Sequence, residues 1–576
     1  MILHALAQRY NDTAGTDNAV PFGWAMRDAA YALDLDEQGR LHGILTLWTL
    51  EGKRKIRPQF LLPIEPTGRT SAIKPAFLCD NSKYFFGLSA NGDSREKKCH
   101  DASRALHEKL LASVNHPIVY GILRFFENWK QDEALNHPII AHILSDKKSS
   151  KEFYEARFVI QVNGRFVHDE PLVRQVWNEA QVGAAGEQIR CLITGEMDTL
   201  AKLHGKISLP GVTMGSVPLV SINAESFASY GKGKDDPAAQ IGEKAAFAYT
   251  TALNTLINDR NHRKRLGSDT LVYWADEGGE EEAYTFSLIG DPKEEDNQKL
   301  DGIMKKLYTG ERLSIDGCVM EKPFCILCMS PNAGRISVRF FYRSTFGDVI
   351  TNSLNHYSNM EVAMSQNERF LYLPPWILLS ETTIKKQASD AAPLLSGQLM
   401  YSIVSGRAYP MTLYIAVIKR IHAGERVNRV KASIIKAVLL RNYPESEVIT
   451  VSLNDSSNNI PYNLGRLFSV LERIQQKSAN EQLNTTVRDR YFSSACANPG
   501  SVFPILLKLS IHHVAKLENP VFFEKLKGEL LNRLDSEVPF PAAMNLEEQG
   551  RFIIGYYHQN QDFFTSKKDK EDVGNV

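Results

Sequence analysis

The sequence predicts an α+β protein, with a mixed α/β N-terminal and central region that contains antiparallel hairpins, followed by an all-α C-terminal helical bundle. Three observations predict this class. Segments that alternate between apolar and polar residues flank turn residues near 31–48 and 156–169. A second set of strand and helix patterns runs from about 271 to 360. Apolar residues then recur at helical spacing from residue 464 onward.

The composition is that of an ordinary folded protein. The chain has 576 residues, of which 43% are hydrophobic, 9% aromatic and 23% charged; at about 150 residues per domain, this length corresponds to roughly four domains. Its apolar runs fall short of the roughly 18 residues that a membrane span needs, and its first residues do not resemble a signal peptide. Seven cysteines, an odd number, fit a reducing compartment. We therefore expect a cytoplasmic protein.

Residues 1–190 are expected to form an N-terminal α/β domain. A short helix opens the chain, and two hairpins follow, one of them around Asn163-Gly164, which supplies the positive φ angles that a two-residue turn requires. Helical spacing predicts three further helices, at 101–112, 117–129 and 171–180.

The centre of the chain is expected to hold two more regions. Residues 191–270 combine a glycine-rich loop region with a helix, and long ordered loops usually bind something. Residues 271–455 form a second α/β region that carries a basic helix. Its patterns follow the order β-α-β-β-α, which favours a ferredoxin-like layer as in RNA-recognition modules. These patterns lie at 271–275, 297–312, 324–330, 336–344 and 345–359.

The last segment, residues 456–576, predicts the helical bundle. A polar stretch at 454–461 precedes it and indicates a domain boundary. Asn545, with Glu548 three residues on, predicts a capping box at the start of the final helix.

The charge is zero overall but segregated along the chain, with 67 Lys and Arg against 67 Asp and Glu. Basic residues outnumber acidic ones ten to four over residues 52–98 and eight to one over 407–441, and four basic residues lie within 260–265. Ten acidic residues lie within 276–301. Three separate cationic segments favour contacts with phosphates, whereas solvated faces are the simpler interpretation of each one alone.

Other kinds of site are less well supported. Cys325 and Cys328, with Cys318 upstream, could suggest zinc, but strand residues three apart point to opposite faces, so buried cysteines are expected. The pairs His100-Asp101 and His168-Asp169, with His512-His513, leave open a metal-dependent nuclease. A stand-alone RNA-recognition protein built on residues 271–360 is also open. No phosphate-binding or dinucleotide-binding glycine motif is present in the sequence, and no cofactor is expected.

The segment from Arg69 to Gly87 has the composition of a nucleic-acid-binding loop. Basic side chains can neutralise phosphates, Asn81 can contact a base edge and Tyr84 could stack on a base, although Phe85 and Phe86 could equally anchor a strand. Further motifs accompany it, at 1–6, 191–196, 221–231, 245–254, 462–466, 488–492 and 549–558.

With these motifs, the chain resembles the large subunit of the type I-C CRISPR Cascade over nearly its whole length. The resemblance implies a non-catalytic subunit of an RNA-guided surveillance complex in antiviral defence. Such a subunit recognises the protospacer-adjacent motif (PAM), helps to open the duplex, holds the displaced strand and helps to recruit a helicase-nuclease. The implied partners are CRISPR RNA-bound backbone subunits, target double-stranded DNA and a small helical subunit. The tail, 456–576, resembles that small subunit, which is often produced by internal translation.

We expect three groups of residues to contact DNA. Lys74, Asn81, Lys83 and Tyr84 form the PAM-proximal loop, with Arg69 and Ser71 as phosphate donors. The glycine-rich region would approach the DNA backbone through Ser221, Asn223, Ser226, Tyr230, Lys232 and Lys234. The displaced strand would follow cations interpreted as helical: Arg260, Arg263, Lys264 and Arg265, with Lys419, Arg420, Arg426, Arg429 and Lys431.

Overall fold

The protein is described by a computed structural model. It covers residues 1–14, 19–52, 54–66, 69, 72–90, 92, 94–182, 186–222, 224–228, 231, 239–309, 314–364, 368–445, 447, 449–479, 485–535 and 537–564. For Arg54, Val182 and Leu307 the description is limited to the backbone. The chain forms two compact units: Met1–Ile207 with Pro218–Thr255, and Ser208–Val217 with Leu256–Val576. This division differs from the four segments expected from the sequence.

The first 258 residues contain both strands and helices. The strands are β1 (Trp24–Asp28), β2 (Tyr31–Leu35), β3 (Leu41–Thr46), β4 (Thr49–Glu51), β5 (Arg54–Ile56), β6 (Gln59–Pro63), β7 (Cys79–Asp80), β8 (Phe158–Val162), β9 (Arg165–Phe166), β10 (Gln188–Arg190), β11 (Met197–Thr199), β12 (Lys206–Ile207) and β13 (Val217–Pro218). The helices are α1 (Ile2–Thr13), α2 (Ser82–Phe85), α3 (Glu96–Leu111), α4 (Pro117–Asn128), α5 (Pro138–Leu144), α6 (Lys147–Glu155), α7 (Pro171–Val182) and α8 (Glu243–Asn258).

The main sheet of the first unit confirms both predicted hairpins. β2 and β3 pair antiparallel, as do β8 and β9, and the second turn has Asn163 and Gly164 at φ 51° and 75°. The sheet order is β3-β2-β8-β7, with β9 also paired to β8. β8 pairs parallel with β2, a long-range pairing that the sequence analysis did not predict. Every residue of β8 is buried, as expected for a strand inside a sheet with covered faces.

The remaining residues form a strand and helix assembly with one dominant core. Its strands are β14 (Arg263–Leu266), β15 (Asp269–Ala275), β16 (Pro323–Asn332) and β17 (Arg335–Thr345). Its helices are α9 (Glu280–Gly290), α10 (Asn297–Tyr308), α11 (Phe346–Met360), α12 (Pro375–Ser380), α13 (Leu395–Ser405), α14 (Met411–His422), α15 (Arg429–Asn442), α16 (Ile460–Ser478), α17 (Val487–Ala497), α18 (Pro499–Val514), α19 (Pro520–Leu531) and α20 (Leu546–Asp562).

The second sheet contains the expected strands in a different topology. Its order is β14-β15-β16-β17, and each neighbouring pair is antiparallel. A ferredoxin-like layer has a parallel β-α-β unit, but here β15 and β16 are antiparallel although α9 and α10 lie between them. Phe340 and Tyr342, two aromatic residues of β17, contact the ring of Tyr401 on α13. The sheet therefore differs from an RNA-recognition module.

The cations of residues 260–265 also lie in a different element from the one expected. Arg263, Lys264 and Arg265 belong to β14, whereas the sequence interpretation placed them on a helix. The helix of this region, α8, ends at Asn258. Strand pairing with β15 fixes the register, with Arg263 opposite Val272 and Arg265 opposite Thr270.

The C-terminal helices confirm the predicted all-α character of the tail. α16 and α20 cross closely at two glycines. A Cβ atom at Gly465 would lie 1.9 Å from the carbonyl oxygen of Phe552, and a Cβ atom at Gly555 would lie 2.0 Å from the carbonyl oxygen of Tyr462, so neither position has room for a side chain. The capping box at Asn545 and Glu548 is also confirmed. These helices share one continuous hydrophobic core with residues from Leu266 onward, so packing extends across the expected boundary at 454–461.

Candidate nucleic-acid interface

The segment from Arg69 to Gly87 is built on a strongly anchored base. Phe85, the last residue of α2, and its C-cap Phe86 are buried in the aromatic core of the first unit, so these rings anchor a helix and not the strand suggested by the sequence. Asn81 is the N-cap of α2, and its side chain accepts a hydrogen bond from the backbone N–H of Lys83 at 3.1 Å. Such a cap contributes about 1 kcal/mol to a helix. Asn81 therefore has a structural role whether or not it contacts DNA.

A strained residue lies just before this helix. Leu78 is fully buried at φ 59°, in the left-handed region that a bulky residue rarely occupies. Its backbone N–H donates to Nε2 of His107 at 3.1 Å, while Nδ1 of that ring lies 2.7 Å from the carbonyl oxygen of Ser103. Burial lowers the pKa of His107 to about 4, so the ring is neutral and can accept. A strained backbone persists where surrounding contacts fix it, and it occurs often at functional sites.

Asp80 organises the polar side of the segment. Its buried carboxylate accepts from Nη2 of Arg69 at 2.6 Å to both oxygens and from the backbone N–H groups of Ala76 and Asn81 at 2.8 Å. Burial raises the pKa of Asp80 to about 6, while Arg69 opposes the rise. Asp80 is therefore mostly ionised at neutral pH, where the pair with Arg69 is complete.

Arg69 and Tyr84 contact each other and further groups nearby in the sequence. The guanidinium of Arg69 lies 4.4 Å above the ring of Tyr84 and also 3.3 Å from Glu65. The hydroxyl of Tyr84 accepts from the backbone N–H of Lys74 at 3.2 Å, and Tyr84 is 5% exposed. The sequence predicts Arg69 at a phosphate and Tyr84 against a base. The structure places both in internal contacts that hold the loop.

The lysines of this region differ in exposure. Lys74 is exposed and Lys83 half-buried. Lys97 and Lys98, which the sequence analysis counted but did not single out, are exposed in the first turn of α3, and α3 packs against α2. The signal available in the sequence was their adjacency to the loop. Ser71 lies outside the described residues.

The glycine-rich region is described only in part. Ser221 and Ser226 are exposed, the latter within a short 3-10 helix at Glu225–Phe227. The other four expected residues lie outside the described part of the chain: Asn223, Tyr230, Lys232 and Lys234.

The cations around β14 divide into two kinds. Arg263 donates to the carbonyl oxygen of Ile257 at 2.7 Å, and Lys264 lies 3.0 Å from the carboxylate of Asp291. Arg260 and Arg265 are exposed. The exposure of Arg260 and Arg265 is compatible with contact with a phosphate backbone.

Most of the expected cations of the α14–α15 segment form ion pairs or hydrogen bonds within the second unit. The amine of Lys431 is almost fully buried; it contacts Glu381 and lies 3.1 Å from Glu425. Arg420 and Lys386 also bind Glu425, at 2.7 and 2.6 Å. Burial alone would raise the pKa of Glu425, but hydrogen bonds from its three cationic partners lower it to about 2.

Arg429 is buried beside this ion-pair cluster. Its guanidinium donates to the carbonyl oxygens of Phe370 and Leu371, the second at 2.6 Å. Lys419 and Arg426, in contrast, are exposed. The structure thus separates the five expected cations of this segment into two on the surface and three in internal contacts.

The residues proposed for a nuclease are not arranged as a metal-binding set. His168 is 1% exposed and packs against Phe60 and Phe166, and burial lowers its pKa to about 4. Asp169 is exposed and binds Arg174 at 2.7 Å. His100 packs against Phe126.

Cys325 and Cys328 are fully buried, as expected, and burial raises the pKa of both.

Comparison with known proteins adds one match and one negative result. A protein-family model described as "CRISPR-associated protein (Cas_Csd1)" matches residues 3–564. A search of the curated proteins found no match. Within the described residues, no helix combines the length and apolar character that crossing a membrane requires.

Proposed function

We propose, from the premise that this chain belongs to the Cas_Csd1 family of CRISPR-associated proteins, that it is the non-catalytic large subunit of a type I-C Cascade. In this role it recognises the PAM on duplex DNA, helps to unwind the duplex, stabilises the displaced strand and helps to recruit the helicase-nuclease. The observation that carries the proposal is the family match over nearly the whole chain.

The internal contacts of Arg69 and of residues 72–84 support the PAM-reading role. A short recognition motif requires few side chains, since guide pairing supplies most of the sequence information. Lys74 lies exposed on a loop that Asp80, Arg69 and the Tyr84 hydroxyl hold together. A loop fixed before binding loses little conformational entropy when it meets DNA.

The remaining parts of the proposal concern partners. We infer that the chain works in the cytoplasm, with CRISPR RNA-bound backbone subunits and a small helical subunit. The helices α16–α20 correspond to the segment that resembles the small subunit, which in this proposal arises by internal translation. Arg260, Arg265, Lys419 and Arg426 are the exposed cations available to the displaced strand.

Substitution of Lys74 tests the loop assignment. In the assembled complex, Lys74→Ala should weaken binding to PAM-bearing duplex while sparing a target supplied as a single strand, because the single strand needs no PAM reading. Lys109→Ala, which removes an exposed lysine from the last turn of α3, is the matched control. Equal losses on duplex and single strand would contradict the assignment, and metal-dependent DNA cleavage by the purified chain would indicate an enzyme instead.

Asn81 needs two variants, because its side chain is also a helix cap. Asn81→Asp keeps a capping oxygen but removes the amide donor, whereas Asn81→Ala removes both. If Asn81 contacts a base, both variants should lose PAM discrimination. If it serves only as a cap, Asn81→Asp should retain discrimination and Asn81→Ala alone should lose it.

A further inference from the structure

Three potential metal ligands converge where the turn after α8 lies beside the start of α9. They are Asp259, His262 and Glu280, and their ligand atoms all lie within 4.8 Å of one another. His262 is 2% exposed, Asp259 half-buried and Glu280 exposed. A site with one buried ligand and one open side can exchange an ion with solvent.

The orientation of His262 is fixed by the backbone. Its Nδ1 lies 2.9 Å from the carbonyl oxygen of Tyr273. A carbonyl oxygen can only accept, so Nδ1 carries the proton, and in the neutral ring Nε2 has an unshared electron pair. A hydrogen bond of this kind from the second ring nitrogen is the usual support of a metal-binding histidine.

The unshared pair on Nε2 faces another acceptor. Nε2 lies 2.8 Å from Oε2 of Glu280. A neutral imidazole nitrogen and a carboxylate oxygen repel each other at this distance unless a positive charge lies with them. A second proton on His262 or a metal ion would each supply that charge.

Asp259 favours the metal ion over the proton. One proton between His262 and Glu280 engages two of the three converging groups, whereas a metal ion would engage all three. The backbone N–H of Asn261 donates to Oδ1 of Asp259 at 2.8 Å and thereby holds this carboxylate in the turn.

Two of the neighbouring cations are bound to other groups. Arg263 donates to the carbonyl oxygen of Ile257, and Lys264 binds Asp291. One imidazole nitrogen with two carboxylate oxygens is a donor set that Zn²⁺ accepts, and three protein ligands leave a fourth position for water.

We propose that Asp259, His262 and Glu280 bind a divalent transition-metal ion of the zinc class. The ion ties the turn that carries Arg260 to the first residue of α9. It therefore holds Arg260 and the start of β14 in place, whether or not these residues contact DNA.

The test uses the full-length chain, stripped with a chelator and titrated with Zn²⁺ against a chromophoric competitor. Wild type should bind one ion at this site, and Glu280→Gln and His262→Ala should each weaken binding by about tenfold or more. Glu281→Gln, which changes the neighbouring exposed carboxylate, should bind as wild type does. Since Glu280 is exposed, its variant should fold normally, and Zn²⁺ should raise the Tm of wild type but not of Glu280→Gln.

Cobalt provides a second readout of the ligand type. Co²⁺ bound here should show visible bands typical of nitrogen and oxygen ligands, which Glu280→Gln should abolish. Three results would each overturn the proposal. They are unchanged affinity in Glu280→Gln, absence of binding by wild type, and a thiolate charge-transfer band from cysteine. Absence of binding would leave His262 and Glu280 as a proton-mediated ion pair.

Discussion

Two cation-rich segments of the second unit, around β14 and around α14–α15, look alike in sequence and differ in structure. Around β14, Arg260 and Arg265 are exposed and Arg263 and Lys264 are half-buried. In the α14–α15 segment Lys419 and Arg426 are exposed as well, but Lys431 and Arg429 on α15 are buried. The difference comes from carboxylates and carbonyl groups elsewhere in the chain. Glu381 lies 50 residues before Lys431 and binds its amine. The density of positive residues in a sequence therefore does not measure the positive charge on a surface.

The loop of the first unit follows the same rule. Arg69 forms ion pairs with Asp80 and Glu65, and Arg57 forms an ion pair with Asp28. Lys55 contacts Glu152, a residue 97 positions away. Acids outside residues 52–98 thus pair with some of the basic residues of that segment. Among its described residues, Lys74, Lys97 and Lys98 are exposed.

The largest expected effect is on the free energy of unfolding, when a buried cation is removed. Lys431→Met should lower the free energy of unfolding by about 3–5 kcal/mol, because Glu381 and Glu425 lose a buried cationic partner. Denaturant unfolding of the chain measures this change. A change below about 1 kcal/mol, combined with weaker DNA binding, would show that Lys431 is a surface contact after all.

A smaller effect is expected from pH. Because three cations lower the pKa of Glu425 in the folded state to about 2, ionised Glu425 stabilises the fold above its ordinary pKa of 4.5. This contribution should be lost as the pH falls from about 4.5 towards 2. Glu425→Gln should therefore be less stable than wild type at pH 7, and the difference should shrink in unfolding curves recorded between pH 5 and pH 3. A difference that is constant with pH would contradict the ion-pair explanation.

The smallest stability effects are expected at the exposed cations. Arg260→Ala, Arg265→Ala and Arg426→Ala should each change the free energy of unfolding by less than about 0.5 kcal/mol, since surface substitutions away from special contacts rarely do more. If Arg260→Ala destabilises by more than about 1 kcal/mol, that side chain has an internal role and its segment resembles α14–α15.

Local signals in the sequence predicted much of the fold. Asn163-Gly164 predicted its hairpin because two positive φ angles permit few other turns, and Asn545 with Glu548 predicted a helix start because the motif is satisfied within one turn. The parallel pairing of β2 with β8 could not be predicted in this way. Its side-chain contact between Asp34 and Gln161 joins residues 127 positions apart.

The candidate site was less predictable than the fold, because it also depends on contacts between residues far apart in the sequence. The loop from Arg69 to Tyr84 was recognised from residue types, but which side chains face outward depends on Asp80 and on the His107 ring, 29 residues beyond Leu78. The ligands Asp259, His262 and Glu280 were not recognised, since three single residues with no repeated spacing give no motif.

The salt dependence of DNA binding tests the central claim most directly, that exposed rather than buried cations of this chain contact nucleic acid. In the assembled complex, Arg260→Ala with Arg265→Ala should reduce the slope of log K against log salt concentration by about 0.7–0.9 per lost phosphate contact. Lys431→Met, measured under conditions where it remains folded, should keep the wild-type slope. An unchanged slope in the arginine variant, or a reduced slope in Lys431→Met, would contradict the claim.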